Sequence, residues 1–191
     1  DDYWIDPLKL QKQADFMEAH PDVSLCFHNA LILNEKYAAT RLFFESPPGE
    51  VLDFAAVYPM TLPMASMMAR GDVLATLPDW RLKIWCGDLL FRLWCAHQGD
   101  FGYLDRIMSV YRRHTTGLDT SRRLESSRAY FDDVLYTYRE FDRATHFVHT
   151  DLIQREIARM EAERRRQQLG RGVLFLRPRH VVVRLKEYAR W

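Results

Sequence analysis

The chain begins DDYWIDPLKLQKQ, Asp1 to Gln13, and the reading of this stretch decides the fold. Asp6-Pro7 marks a helix start, with Asp as the cap and Pro in the first turn, where its missing N–H costs nothing. Leu10, Ala14 and Met17 then recur at i, i+4 and i+7, predicting an apolar stripe that ends near His20-Pro21. Asp1 and Asp2 are harder to place. Adjacent acids have few structural uses at a chain end, so they are either a solvated pair or the end of a strand that points into a site.

Working outward, VSLCFHNALIL (Val23 to Leu33) alternates as a buried strand would. Ser46-Pro47-Pro48-Gly49 breaks the pattern, and residues 51–58 suit a short helix. PMASMMA (Pro63 to Ala69) reads as a second apolar strand, halted by Arg70-Gly71-Asp72. In IWCGDLLFRLWCAHQGD, Leu89, Leu90, Leu93 and Trp94 share one helical face, and Gly99-Asp100 ends it. FGYLDRIMSVYRRH gives one or two strands running into a loop at Thr115-Thr116-Gly117. Arg122 to Gln168 is helical and increasingly charged, and the last stretch, VLFLRPRHVVVRLKEYARW, is apolar and basic. The order is α/β, but with too few strands for a self-sufficient doubly wound sheet. No glycine-rich strand-to-helix turn is present to cradle a nucleotide.

A 48% hydrophobic content over 191 residues supplies a sizeable core. The net charge of +1 hides an asymmetry: residues 1–121 hold 11 Lys/Arg against 16 Asp/Glu, residues 122–191 hold 16 against 10. Cys26, Cys86 and Cys95 form no CxxC pair, which fits buried thiols in a reducing compartment. No run approaches the roughly 18–20 apolar residues that span a bilayer.

Three charged clusters could carry chemistry: Asp1-Asp2, Gly87-Asp88 at a helix start, and Tyr111-Arg112-Arg113-His114 at a strand end. Each has a plainer use. Acidic pairs are usually solvated, an Asp in a first turn usually caps or complements the helix dipole, and Arg-Arg-His is commonly surface charge. His28 and Asn29 lie in an apolar strand, where structural hydrogen bonding outnumbers ligation. His146 and His149 have i, i+3 spacing with no third ligand in sight, so they define no metal site.

The order of the clusters adds to this. Asp1-Asp2-Tyr3-Trp4, with Asp6-Pro7-Leu8-Lys9-Leu10 and Gln13, resembles the segment after the metal-binding motif of family 2 glycosyltransferases, where the text commonly reads E-G-D-D-Y-W-x-D-P-x-K-L. Ser66 in PMASMMAR, Gly87-Asp88 and YRRHTTG (Tyr111 to Gly117) are similar to later motifs of that family, in the same order, over about residues 1–120. The resemblance implies an inverting enzyme of GT-A fold, moving a sugar from a nucleotide diphosphate to an acceptor hydroxyl. It makes Asp1 the last acid of a DxD-type motif and a ligand, with His114, of a divalent Mg or Mn ion. Asp2, Arg112 and His114 would meet the donor diphosphate. Asp88 would be the base, a role typically worth about 10²–10⁴ in rate. Trp85 and Ser66 are weaker acceptor contacts by the same resemblance.

One departure is large. The family's N-terminal nucleotide-binding strands, roughly 100 residues of βα units, are missing, so the expectation is a fragment without turnover of its own. The predicted organisation is therefore the metal and acceptor side of a GT-A domain over 1–120 and a helical, basic extension over 121–191. The implied donor is a UDP-sugar and the acceptor a glycan or lipid-linked glycan. The tail either packs on the domain or meets an anionic membrane surface, placing the protein in the cytoplasm or at the inner face of the membrane. No nucleic-acid motif accompanies the charge. The competing reading is a non-catalytic scaffold domain in which Asp88 merely caps a helix.

Overall fold

The computed structural model describes residues 2–35, 39–114 and 127–175, leaving aside the side chains of 127 and 168–175. Its elements are β1 (Tyr3–Trp4), α1 (Lys9–Ala19), β2 (Val23–Asn34), β3 (Ala39–Leu42), β4 (Val51–Leu52), α2 (Phe54–Val57), β5 (Met68–Ala69), α3 (Gly71–Ala75), α4 (Gly87–Gln98), β6 (Asp100–Arg113), α5 (Ser127–Ala144) and α6 (Thr150–Phe175). The class is mixed α/β, an open six-stranded sheet with helices on both faces.

The sheet runs β1-β6-β2-β3, with β4 added to β6 and β5 to β2. Its centre is the parallel pair β2–β6, running from Val23↔Asp100 to Asn34↔Arg113 with register shifts between Val23 and Leu25 and at His28–Ala30, and every other pairing is antiparallel. A parallel pair needs a crossover, and α4 leads straight into β6 to complete it. β2 is buried along most of its length, as its unbroken apolar run requires.

α1 covers one face of the sheet, packing Phe16 and Met17 against Val23 and Cys26. Phe16 fits because position 102 is glycine: a Cβ there would lie 2.1 Å from Phe16 Cε1. The inward side of α1 is not the Leu10–Ala14–Met17 stripe. Lys9, Gln13, Phe16 and Met17 point inward, and Leu10 is exposed. Gln13 makes this possible: its Nε2 donates to Cys26 O at 3.0 Å and to Ser66 O at 2.9 Å, so burying the amide leaves no bond unmade.

The segment Pro63–Ala69 is also not one strand. Met64–Ser66 form a 3₁₀ turn, and only Met68–Ala69 pair with β2. The opposite face of the sheet holds the main core, where Leu25, Phe27, Phe101 and Tyr103 meet Leu90, Leu93 and Trp94 of α4. Phe131, Leu135 and Phe141 of α5 and Ile153, Ile157 and Met160 of α6 join the same cluster. The helical region expected as an extension thus shares its core with the sheet. A left-handed turn at His146 (φ 53°) and Phe147 (φ 63°) reverses the chain between α5 and α6, and Phe147 N–H closes it on Asp142 O at 2.8 Å. Arg139–Glu161 (2.9 Å) and Arg164–Asp132 (2.8 Å) tie the two helices along their exposed sides. The segment 176–191, expected as the membrane-facing end, lies outside the described residues. Among those described, no helix is long and apolar enough to cross a membrane.

Candidate functional site

β2 and β6 end on the same side of the sheet, and β1, antiparallel to β6, begins there. That corner brings together Asp2, Glu35, Arg112 and His114. Asp2 Oδ1 accepts from the Arg112 backbone N–H at 2.9 Å, joining the start of the chain to the end of β6. The Arg112 guanidinium turns the other way: Nε donates to Glu35 Oε1 at 2.8 Å, and one terminal N–H reaches the same oxygen. Glu35 itself is fixed by its backbone N–H, which donates to Arg113 O at 3.1 Å. Both side chains of this ion pair are about one-third exposed, so solvent screens much of its Coulomb energy.

Glu35 was not among the residues that the sequence singled out. Its only signal was its place, one residue beyond a long buried strand, and nothing local ties it to Arg112. His114 follows β6 directly and is half-buried. Asp1 lies outside the described residues, and so does the loop Thr115-Thr116-Gly117. The donor types at the corner, carboxylates and an imidazole, are those a hard divalent ion accepts. Among the described residues, however, no three His, Cys, Asp or Glu side chains converge on one point.

Asp88 sits in the first turn of α4, exposed, and its Oδ1 accepts from the Leu89 N–H at 2.9 Å. The free N–H groups at the entrance to α4 are met from elsewhere. Asp133 of α5 accepts from Trp85 N at 3.0 Å and from Cys86 N at 2.7 Å. Two acids thus serve the start of α4, Asp133 holding the backbone just ahead of it and Asp88 the first-turn N–H of Leu89. One turn on, Arg92 is held by the carbonyls of Val57 (2.9 Å) and Tyr58 (2.8 Å), and burial pulls its pKa down while Tyr138, Asp88 and Glu156 oppose that.

Trp85 is partly exposed and meets Tyr130 edge to face at 6.3 Å. Ser66 lies in the interior. It is fully enclosed, its hydroxyl donates to Pro63 O at 2.7 Å, and its carbonyl is taken by Gln13, so its side chain cannot touch an acceptor.

His28, His97 and His149 are held by structural contacts. His28 is fully buried, its Nδ1–H donates to Asn29 O at 2.7 Å, and burial pushes its pKa down to about 4. Asn29 exchanges two hydrogen bonds with the Phe44 backbone, at 2.9 and 3.0 Å. His149 does not pair with His146. It stacks on Phe54 with ring centroids 3.7 Å apart and shares a hydrogen bond of 3.1 Å with His97. The three cysteines are buried thiols outside any disulfide, with burial raising the Cys26 and Cys95 thiols to about 11 and 12.

No family model matches the chain. It is similar to uncharacterized proteins of Mycobacterium bovis and Mycobacterium tuberculosis, 29% identical over 127 residues. The match covers 62% of this chain and 34% of each relative, so the chain spans about a third of the length of the proteins it resembles.

Proposed function

We propose that the chain is the acceptor-side portion of an inverting GT-A glycosyltransferase of family 2, transferring a sugar from a UDP-sugar to a hydroxyl of a glycan or lipid-linked glycan. The observation that carries this reading is the Asp2–Arg112 contact. Two segments resembling separate motifs, 110 positions apart in sequence, meet at one corner of the sheet at 2.9 Å.

The roles follow from the chemistry of the side chains. Arg112 brings a permanent, forked cation for diphosphate oxygens, and Glu35 fixes the direction of that fork. Asp1 and His114 would hold a divalent ion, which when bound neutralises the leaving diphosphate. Asp2 contacts the donor from its place beside Asp1. Asp88, exposed in the first turn of α4, takes the proton of the attacking hydroxyl, with Trp85 close by in sequence. The basic C-terminal end, residues 168–191, would meet the cytoplasmic face of an anionic membrane, where lipid-linked acceptors lie.

One observation favours a second reading. The Arg112 guanidinium already carries a carboxylate partner in Glu35, as a non-catalytic scaffold would keep it. Replacing Asp88 by Asn in the full-length protein separates the two. Loss of sugar transfer with UDP-sugar binding retained is the expected result, whereas unchanged transfer would remove Asp88 from the chemistry, and a protein that neither binds nor transfers would favour the scaffold.

A further inference from the structure

The turn between α5 and α6 is strained. His146 and Phe147 both adopt positive φ, 53° and 63°, a region that residues other than glycine rarely occupy. Such strain persists only where the surrounding structure imposes it. What this turn delivers is His149. Its ring lies flat on Phe54, centroids 3.7 Å apart, with Phe141 nearly parallel at 6.2 Å, so aromatic neighbours fix its plane. His97, in the last turn of α4, meets it edge to face, and His97 Nδ1 stands 3.1 Å from His149 Nε2.

The surroundings of the pair suit a cation. Both rings are half-buried, and burial holds both below the usual histidine range, so at neutral pH each imidazole is uncharged and carries a lone pair. Asp142 of α5 acts on His149 in the opposite sense and favours positive charge there. That carboxylate is 2% exposed. Its Oδ2 accepts from Thr150 Oγ1 at 3.0 Å and from Gln154 Nε2 at 3.3 Å, whereas Oδ1 is buried without a hydrogen-bond partner. Buried polar atoms are almost always paired. Here an idle carboxylate oxygen lends negative potential to two rings that hold no charge of their own.

Two neutral imidazole nitrogens this close can share a metal ion as well as a proton. With zinc–nitrogen bonds of about 2.0–2.1 Å, a tetrahedral angle sets two ligand nitrogens about 3.3 Å apart, near the 3.1 Å found. Imidazole selects zinc, copper and nickel over magnesium and calcium. We propose that His97 and His149 are the two protein ligands of a divalent transition-metal site, zinc foremost, that ties the end of α4 to the start of α6. Among the described residues no third His, Cys, Asp or Glu joins them, so water fills the remaining positions and Asp142 stays outside the coordination shell. Binding uses a lone pair from each ring. The imidazole that donates in the shared hydrogen bond therefore moves that proton to its other nitrogen, and neither ring changes charge. His97 stands three residues before β6 begins, at the far end of that strand from Arg112, and the site holds whether or not the chain transfers sugar.

The test uses the full-length protein, purified without a histidine tag, with its histidine rings labelled with ¹⁵N and titrated with zinc chloride. His97 Nδ1 and His149 Nε2 should shift together and saturate together, and magnesium chloride should leave both unmoved. His97→Gln and His149→Gln should each weaken zinc binding at the remaining ring about tenfold or more. His146→Gln, at an exposed position in the same turn, should bind as the parent does. The two half-buried rings also help to hold the fold, so the spectrum of the unaltered protein decides where a variant does not fold. Rings of His97 and His149 that zinc leaves unmoved overturn the site. So does zinc that moves the ring of His114 alone, or an undiminished affinity at His149 in folded His97→Gln.

Discussion

The carboxylate of Asp133 accepts the backbone N–H groups of both Trp85 and Cys86, so a residue of α5 holds the chain that leads into α4. A cap contributed by another helix does two jobs. It satisfies two backbone donors just ahead of α4, and it fixes where α5 docks.

Replacing Asp133 by Ala should therefore destabilise the fold by about 1–2 kcal/mol, the usual cost of losing a cap. Asp88→Ala, in the first turn of the same helix, should change stability by less than about 0.5 kcal/mol, as surface positions do. Urea unfolding of the two variants checks the pair. Equal losses would return the capping role to Asp88.

Acid should weaken the fold through His28. Burial holds its folded pKa at about 4, whereas the unfolded chain takes up the proton near 6.5. The unfolded state thus binds more protons between those values, so stability is complete above pH 6.5 and is lost as the pH falls toward 4. The span corresponds to about 3 kcal/mol. His97 and His149, both lowered chiefly by burial, add in the same direction. The urea midpoint should fall across this range, and less steeply in His28→Gln. A midpoint that does not move would contradict the burial of His28.

Gly102→Ala should cost about 1–3 kcal/mol through overpacking against Phe16. Phe16→Leu in the same chain should recover part of the loss. A double mutant no better than Gly102→Ala would place the strain elsewhere.

Gln13→Leu keeps roughly the volume but strips donors from Cys26 O and Ser66 O and the acceptor from Lys9. Three polar groups left without their partner should cost about 2–4 kcal/mol in total, well above a conservative surface change. A shift in thermal midpoint like that of a surface mutant would mean that water replaces the amide.

Where the sequence was legible, the pattern was apolar and local. VSLCFHNALIL reads as a buried strand because burial on both faces demands continuous apolar residues, and β2 is that strand. The helix at Gly87–Gln98 and the strand after it were equally plain. The inward face of α1 was not, because Lys9 and Gln13 are buried by partners far along the chain, which periodicity cannot register. Met64 to Ser66 read as strand for a related reason: an apolar run reports burial, and a tight turn can be buried too. Asp2, Arg112 and Asp88 could be picked out by pattern. Glu35 and Asp133 could not, since each acts through a contact 77 or 47–48 positions away.

The parallel β2–β6 pair has a consequence for how the chain is made. Its partners lie more than seventy residues apart, with three shorter helices and three small strands between them. Contacts of that separation form slowly, because a long loop must close before any pairing rewards it. At synthesis rates of about 5–20 residues per second, β2 waits roughly 4–15 s for its neighbour to emerge. During that interval Leu25, Cys26 and Phe27, later wholly enclosed, are unprotected at an unsatisfied strand edge. The arrival of α4 and β6 is what covers that edge.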